Sequence, residues 1–385
     1  MVNGSNAALL AAKSIPGVPV ADRRIGRDEP IFFIAEIGIN HNQSLDMALK
    51  LIDAAANAGC SAAKFQTFRA RDLYIEGRKA GTYRLMGKDI PIFDLHTGLE
   101  MPAEWIPKLQ RHCEERGIVF FSTVVAQEGT DLLEKAGVPA YKISSYDCTN
   151  MPLIRTVAAK GKPIILSIGA ATLGEAEETL GVIQDSKTPV ALMQCIAKYP
   201  ASYSSANLAV MDTLRSAFQI PVGFSDNGFA DSASRIDTMR VPLAAAQAGA
   251  DLFEIHITLD RTLPGADHGF ATEPDELKTM VARMNEARAA YQSGQRVTID
   301  AELWGSSVKR TLPEEQYVRN FAYKCLFSTR AVKAGDKLTP ENVAVLRPGQ
   351  YKRGLEPRFF ELVIEKAVAR KAIDAFEPIT WDVIL

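Results

Sequence analysis

Residues 31–67 read IFFIAEIGINHNQSLDMALKLIDAAANAGCSAAKFQT, and the change of period inside that stretch decides the fold. Residues 31–37 are a near-continuous apolar run, as expected of a strand covered on both faces, and 62–67 repeat the pattern. Between them, 46–58 place apolar residues at helical spacing, and Gly59 stands where the helix stops, in the position of a left-handed cap. This is one strand, helix and strand unit. Further apolar runs follow at 119–123, 140–144, 163–167, 190–195, 222–225 and 252–258, with helical periodicity at 102–116, 129–136, 151–158, 173–184, 207–217, 233–248 and 273–292. Eight such units within roughly 260 residues predict an α/β fold, a closed (β/α)8 or TIM barrel, better than an open doubly wound sheet.

Outside 30–292 the pattern lapses. Residues 1–29 read as an N-terminal extension, 293–319 as a polar linker, and 320–385 as a compact segment of short strands and turns. A unit of roughly sixty residues folds only marginally alone, so this segment is expected to dock on the barrel or on another subunit. The long excursion at 68–101 is expected to lie over the barrel mouth.

Composition narrows the function classes. The 385 residues are 47% hydrophobic and 23% charged, which excludes disordered, collagen-like and coiled-coil readings. Forty-four basic against forty-six acidic residues leave a net charge of −2, with no footprint for nucleic acid or anionic lipid. The longest apolar candidate, 241–250, is too short to span a membrane, and the run at 7–12 has no basic residue before it, as a signal peptide would. A cytoplasmic protein is the expectation. The five cysteines are scattered and never spaced C-x-x-C, which argues for reduced core residues.

Barrel enzymes carry their chemistry at the C-terminal ends of the strands. Those ends hold Glu36, Lys64 and Gln66, Thr123, Lys142 and Ser145 with Asp147, Ser167, Gln194, Ser225 with Asp226 and Asn227, and His256. Lysines and hydroxyls at one mouth suit a small phosphorylated anion, because ammonium groups supply charge and hydroxyls supply directed donors. A single serine there could equally cap the following helix, but a lysine ending an apolar strand needs a partner. The five histidines lack metal-site spacing, and no glycine-rich phosphate loop is present.

These residues resemble the sialic acid synthase family, with its legionaminic, pseudaminic and spore-coat polysaccharide branches. The resemblance rests on 35–42 (AEIGINHN), 64–67 (KFQT), 121–123 (FST), 141–145 (YKISS), 198–200 (KYP), 223–226 (GFSD), 264–268 (PGADH) and 346–349 (LRPG), and 320–323 looks closest to the spore-coat branch. It implies that the tail is a small antifreeze-like (SAF) domain. It also implies condensation of phosphoenolpyruvate with an N-acylated amino hexose, N-acetylmannosamine or a 2,4-diacetamido hexose, to a nine-carbon 2-keto acid with release of phosphate. Carried over by position, Lys64, Thr123, Lys142, Ser145, Ser167 and Ser225 would hold phosphoenolpyruvate. Glu36, Gln66, Tyr199 and Asp267 would orient the sugar, and Phe321 and Arg347 would close over its acylamino end from the neighbouring subunit of a domain-swapped homodimer. Glu36, Asp147 and His256 would be catalytic, with manganese or magnesium on His256 and Asn227.

The chain departs from the family where a second metal-binding histidine is usual (Asn227), where the catalytic carboxylate is usually glutamate (Asp147), and at Gln194 and Ala197. Two other readings therefore stand beside the synthase. One is an aldolase using Lys64 or Lys142 as a Schiff-base nucleophile. The other is a catalytically impaired homologue that binds sugar phosphates or acts in assembly.

Overall fold

The computed structural model describes residues 15–85, 87–230 and 237–384. Eight parallel strands close into a barrel: β1 (Phe32–Gly38), β2 (Ala62–Thr67), β3 (Val119–Val124), β4 (Tyr141–Ile143), β5 (Ile164–Ser167), β6 (Val190–Cys195), β7 (Val222–Asp226) and β8 (Leu252–His256). Each pairs with its sequence neighbour, and β8 closes on β1 through Leu252 opposite Phe32 and His256 opposite Glu36. The expected (β/α)8 barrel is what the chain forms.

Eight helices follow the strands: α1 (Leu45–Ala58), α2 (Ile106–Glu115), α3 (Gln127–Ala136), α4 (Met151–Ala158), α5 (Leu173–Asp185), α6 (Ala209–Phe218), α7 (Arg240–Gln247) and α8 (Pro274–Gln292). Their ends follow local chemistry. Ser44 caps α1 by accepting from Met47 N at 3.2 Å, and Gly59 ends it at φ 87°. Thr172 and Glu175 form a reciprocal capping box on α5. The helix expected from residue 233 starts at Arg240; 231–236 lie outside the described residues, as does the apolar run at 7–12.

Alternation with period two sends every second strand residue into the barrel. The lower layers of that interior are apolar, formed by Phe32, Ile34, Ala62, Phe121, Ile165, Met193 and Leu252. A short ribbon pairing Val18–Val20 with Arg23–Ile25 adds Val18, Val20 and Ile25 and plugs the bottom. Arg288 of α8 pins this ribbon's exit by donating to Gly26 O at 2.9 Å and Arg27 O at 2.8 Å while pairing with Asp251 at 2.9 Å. The closed bottom confines ligand entry to the top.

The excursion after β2 forms a hairpin of Thr82–Leu85 with Lys88–Pro91 and a short helix, Ile92–Thr97. Beyond α8, the segment read as a linker carries Ala301–Trp304, and Gln316–Ala322 crosses residue 320. Strands β9 (Cys325–Ser328) and β10 (Val343–Leu346) then pair antiparallel, and the tail builds its own core around Leu326, Leu338, Val363 and Ile379. It docks on the excursion: Arg347 N donates to Leu73 O at 2.8 Å and Gln350 N to Ala80 O at 3.1 Å. All five cysteines are buried and free, and among the described residues no helix is long and apolar enough to cross a membrane.

Candidate active site

Above the apolar layers the inward stripe turns polar. Glu36, Lys64, Thr123, Lys142, Ser167, Ser225 and Glu254 face a cavity of about 560 Å³ at the C-terminal mouth. Two buried ion-pair systems share its floor. Lys64 Nζ lies 2.5 Å from Glu36 Oε2, donates to Thr123 Oγ1 at 2.9 Å, and stands 3.7 Å from Glu254 Oε2. Lys142 Nζ donates to Ser167 Oγ at 2.8 Å and lies 3.4 Å from Glu254 Oε1, which also accepts from Ser225 Oγ at 3.1 Å. Gln66 Nε2 donates to Glu36 Oε1 at 2.7 Å.

The electrostatics follow from burial set against charge. Burial opposes the charge of Lys64, but Glu254 and Glu36 outweigh it and the net shift is upward. Lys142 has less support: burial pulls its pKa down, and Glu254 offsets this only in part. Burial also works to raise Glu254, yet the two lysines hold its carboxyl below the usual range. Burial raises Glu36 despite Lys64. The floor thus sets two lysines against two glutamates, so the basic side chains expected from the strand ends are paired with acidic ones.

Around this floor lie the other expected residues. Ser145 Oγ accepts from Gly169 N at 2.8 Å. On the opposite side, His256 stands edge-on to Phe270 at 5.2 Å and to Tyr199 at 6.0 Å, with its Nδ1 3.9 Å from Asp267 Oδ2. The rim is closed by Phe321, 6.1 Å from the Tyr74 ring, and by Arg347, whose guanidinium lies over Tyr146 at 4.9 Å and Tyr74 at 5.6 Å. Both rim residues reach the mouth of their own chain's barrel.

Three strand-end residues are placed elsewhere. Asp147, expected at the mouth, does not line the cavity: a single 3-10 turn, Ser145–Asp147, carries Ser145 into the mouth and turns Asp147 behind it. There its carboxylate accepts from Asn150 Nδ2 at 3.0 Å and pairs with Lys324. Gln194 and Asp226 alternate outward, leaving Cys195, Ser225 and Asn227 inside. Buried away from the mouth, the Asp226 carboxyl is pushed up to about 7. The strand-end reading also misses Glu254, Tyr146 and Phe270. Glu254 had a signal, since it stands two residues before His256 on one strand and must share its side.

A divalent ion has a limited donor set here. Among the described residues no group of three His, Cys, Asp or Glu side chains converges. The His256 Nδ1 atom is buried without a hydrogen-bond partner and faces the Asp267 carboxylate. Asn227 uses its Nδ2 on Ile196 O at 2.9 Å, so its carbonyl oxygen is the atom that could face an ion. One imidazole, one carboxylate and one amide oxygen suit a hard ion that keeps water or substrate oxygens in its remaining positions.

The family model described as the NeuB family matches residues 51–296. The chain is 42% identical over 369 residues to the spore coat polysaccharide biosynthesis protein SpsE of Bacillus subtilis, covering 95% of this chain and 96% of that protein. The crystal structure of SpsE from that organism superposes with a TM-score of 0.85 at 40% identity, covering 96% of this chain and 99% of the other. An N,N'-diacetyllegionaminic acid synthase of Campylobacter jejuni is 32% identical over 320 residues, covering 82% of this chain and 90% of that enzyme.

Proposed function

This chain belongs to the NeuB family, and on that premise we propose that it condenses phosphoenolpyruvate with the open-chain aldehyde of an N-acylated amino hexose. The products are phosphate and a nine-carbon 2-keto acid of the sialic acid type, destined for a surface or coat glycan. The sugar is N-acetylmannosamine or a 2,4-diacetamido hexose, the second in keeping with the legionaminic acid synthase relative. The observation that carries the reading is the floor itself, where Lys64 and Lys142 are buried among Thr123, Ser167 and Ser225 at the closed end of a cavity rimmed by aromatic groups and Arg347.

The residues divide the work. Lys64, Lys142 and the hydroxyls of Thr123, Ser145, Ser167 and Ser225 hold the carboxylate and phosphate of phosphoenolpyruvate. Tyr199, Gln66 and Asp267 orient the sugar, while Phe321 and Arg347 cover its acylamino end and exclude water. Manganese or magnesium held by His256, Asn227 and Asp267 would polarise the aldehyde oxygen. Bond formation from the enol carbon leaves positive character at its neighbour, to which water adds before phosphate departs. An incoming anion competes with Glu36 and Glu254 for the ammonium groups. That competition frees a desolvated carboxylate beside the substrate, and Glu36, between Lys64 and Gln66, is assigned the proton of that water. Asp147 has no part in this step. We also propose a cytoplasmic homodimer in which two copies exchange their C-terminal segments, reproducing the rim contacts across subunits.

The test is release of phosphate from phosphoenolpyruvate with a panel of N-acyl hexoses and manganese or magnesium. Sugar-dependent release supports the reading, and its absence across the panel overturns it. The withdrawal of Asp147 favours one second reading, a sugar-phosphate binding or assembly protein. Activity gained only in the Asn227→His, Asp147→Glu double variant would establish that alternative.

A further inference from the structure

The segment between the barrel and the C-terminal unit is no passive spacer. From residue 306 to 323 it is fastened along the loops that follow β5 and β6. Ser306 N donates to Asn207 Oδ1 at 2.7 Å, Leu173 N to Lys309 O at 3.3 Å, and Thr311 Oγ1 to Ala170 O at 2.8 Å. At its end the Tyr323 hydroxyl donates to Gly169 O.

At the centre of this seam sits Glu315, which is 0% exposed. Its Oε1 accepts from Ala170 N at 2.7 Å and from Ala197 N at 2.8 Å, and its Oε2 accepts from Leu312 N at 2.9 Å. One carboxylate oxygen therefore joins the loop after β5 to the loop after β6. Among the described residues these two amides have no other acceptor, and a buried N–H without one is costly. Lys309 is buried nearby, where burial lowers its pKa and Glu315 acts to restore it.

The loops so joined are the ones that shape the anion end of the cavity. Gly169 N, one residue from the Glu315 contact, donates to Ser145 Oγ at 2.8 Å. The second loop continues into Lys198 and Tyr199, both in the cavity wall, and Ile196 O holds the Asn227 amide at 2.9 Å. The two loops touch closely, since a Cβ on Gly169 would stand 3.2 Å from Ala197 N. A shift in their spacing would therefore move Ser145 and Tyr199 relative to the lysines.

We propose that Glu315 is a positioning residue: a buried carboxylate that sets the spacing of the two loops flanking the phosphate end of the site and couples that spacing to the placement of the C-terminal lid. The proposal rests on the reading of the cavity as a phosphoenolpyruvate site. In Glu315→Gln the amide oxygen can keep the place of Oε1 and accept from both loops, with the NH2 facing only Leu312 N, whereas Glu315→Met removes the shared acceptor and leaves both loop N–H groups unpaired.

The test measures KM for phosphoenolpyruvate and for the sugar separately, together with calorimetric binding of phosphoenolpyruvate alone and the melting temperature. The expected result for Glu315→Met is about a tenfold rise in KM and Kd for phosphoenolpyruvate, with the sugar KM within about twofold. Glu315→Gln keeps the shared acceptor and loses only the Leu312 contact, so it should show a smaller rise, of about threefold; it also serves if Glu315→Met does not fold. A fall in melting temperature with unchanged phosphoenolpyruvate affinity overturns the proposal, as does an equal rise in both KM values. Wild-type protein that fails to bind phosphoenolpyruvate overturns the functional reading instead.

Discussion

Lys324 Nζ lies 3.2 Å from Asp147 Oδ1, and solvent reaches neither side chain appreciably, at 2% and 0% exposure. The ammonium also donates to Val125 O at 2.7 Å. This pair joins the turn after β4 to the residue just before β9, so a carboxylate that strand-end logic assigns to chemistry serves to anchor the tail.

Removing the cation strands a buried carboxylate. Lys324→Met should destabilise the protein by about 3 kcal/mol or more, because Asn150 and Ser144 cannot replace the lost charge. Lys324→Met combined with Asp147→Asn should recover most of that loss. Urea unfolding of the two single variants and the double variant measures the coupling, and additive losses would refute it.

Lys142 depends on its neighbour for its charge, since burial lowers its pKa and Glu254 is the main opposing influence. A lysine with a depressed pKa loses its proton at lower pH, so deleting that support brings deprotonation closer to neutrality. Glu254→Gln should therefore lose phosphoenolpyruvate affinity on the order of tenfold as the pH is raised from neutrality into the alkaline range. The wild type should change less over the same range. KM for phosphoenolpyruvate against pH in both proteins checks this, and parallel profiles would sink it.

His41 shapes the acid limb of stability. It is 1% exposed, its Nδ1 accepts from Gln43 N at 3.2 Å, and burial lowers its pKa to about 4. The folded state thus favours neutral imidazole, and the unfolded state binds the extra proton between about pH 6.5 and 4. Stability from this group is complete above that window and falls as pH drops through it, by on the order of 3 kcal/mol. His41→Gln should flatten this part of the curve in denaturant titrations at pH 7 and pH 4.5.

Two glycine substitutions should behave oppositely. A Cβ at Gly223 would stand 1.9 Å from Leu252 O, where β7 and β8 approach, so Gly223→Ala should cost about 3 kcal/mol or prevent folding. Gly174, in the first turn of α5, has nothing within 4 Å of such a Cβ. Gly174→Ala should be neutral or stabilising by up to about 1 kcal/mol. Melting temperatures of the two variants decide the matter.

The sequence alone determined the barrel and most of the mouth. Period is a local property: a strand's alternation and a helix's 3.6-residue repeat are written in neighbouring residues, so eight units were legible without contacts. The same alternation assigns Lys64, Thr123, Lys142, Ser167 and Ser225 to one end, because parallel strands share a direction. What only the tertiary structure decided is pairing across distance. Glu254 compensates two lysines 190 and 112 positions away, and Lys324 withdraws Asp147 from the cavity across 177 positions. In the stretch read as a polar linker, Glu315 ties two loops together. A buried charge is placed by the partner that satisfies it, and no local pattern names a partner that the chain brings back only after the barrel has closed.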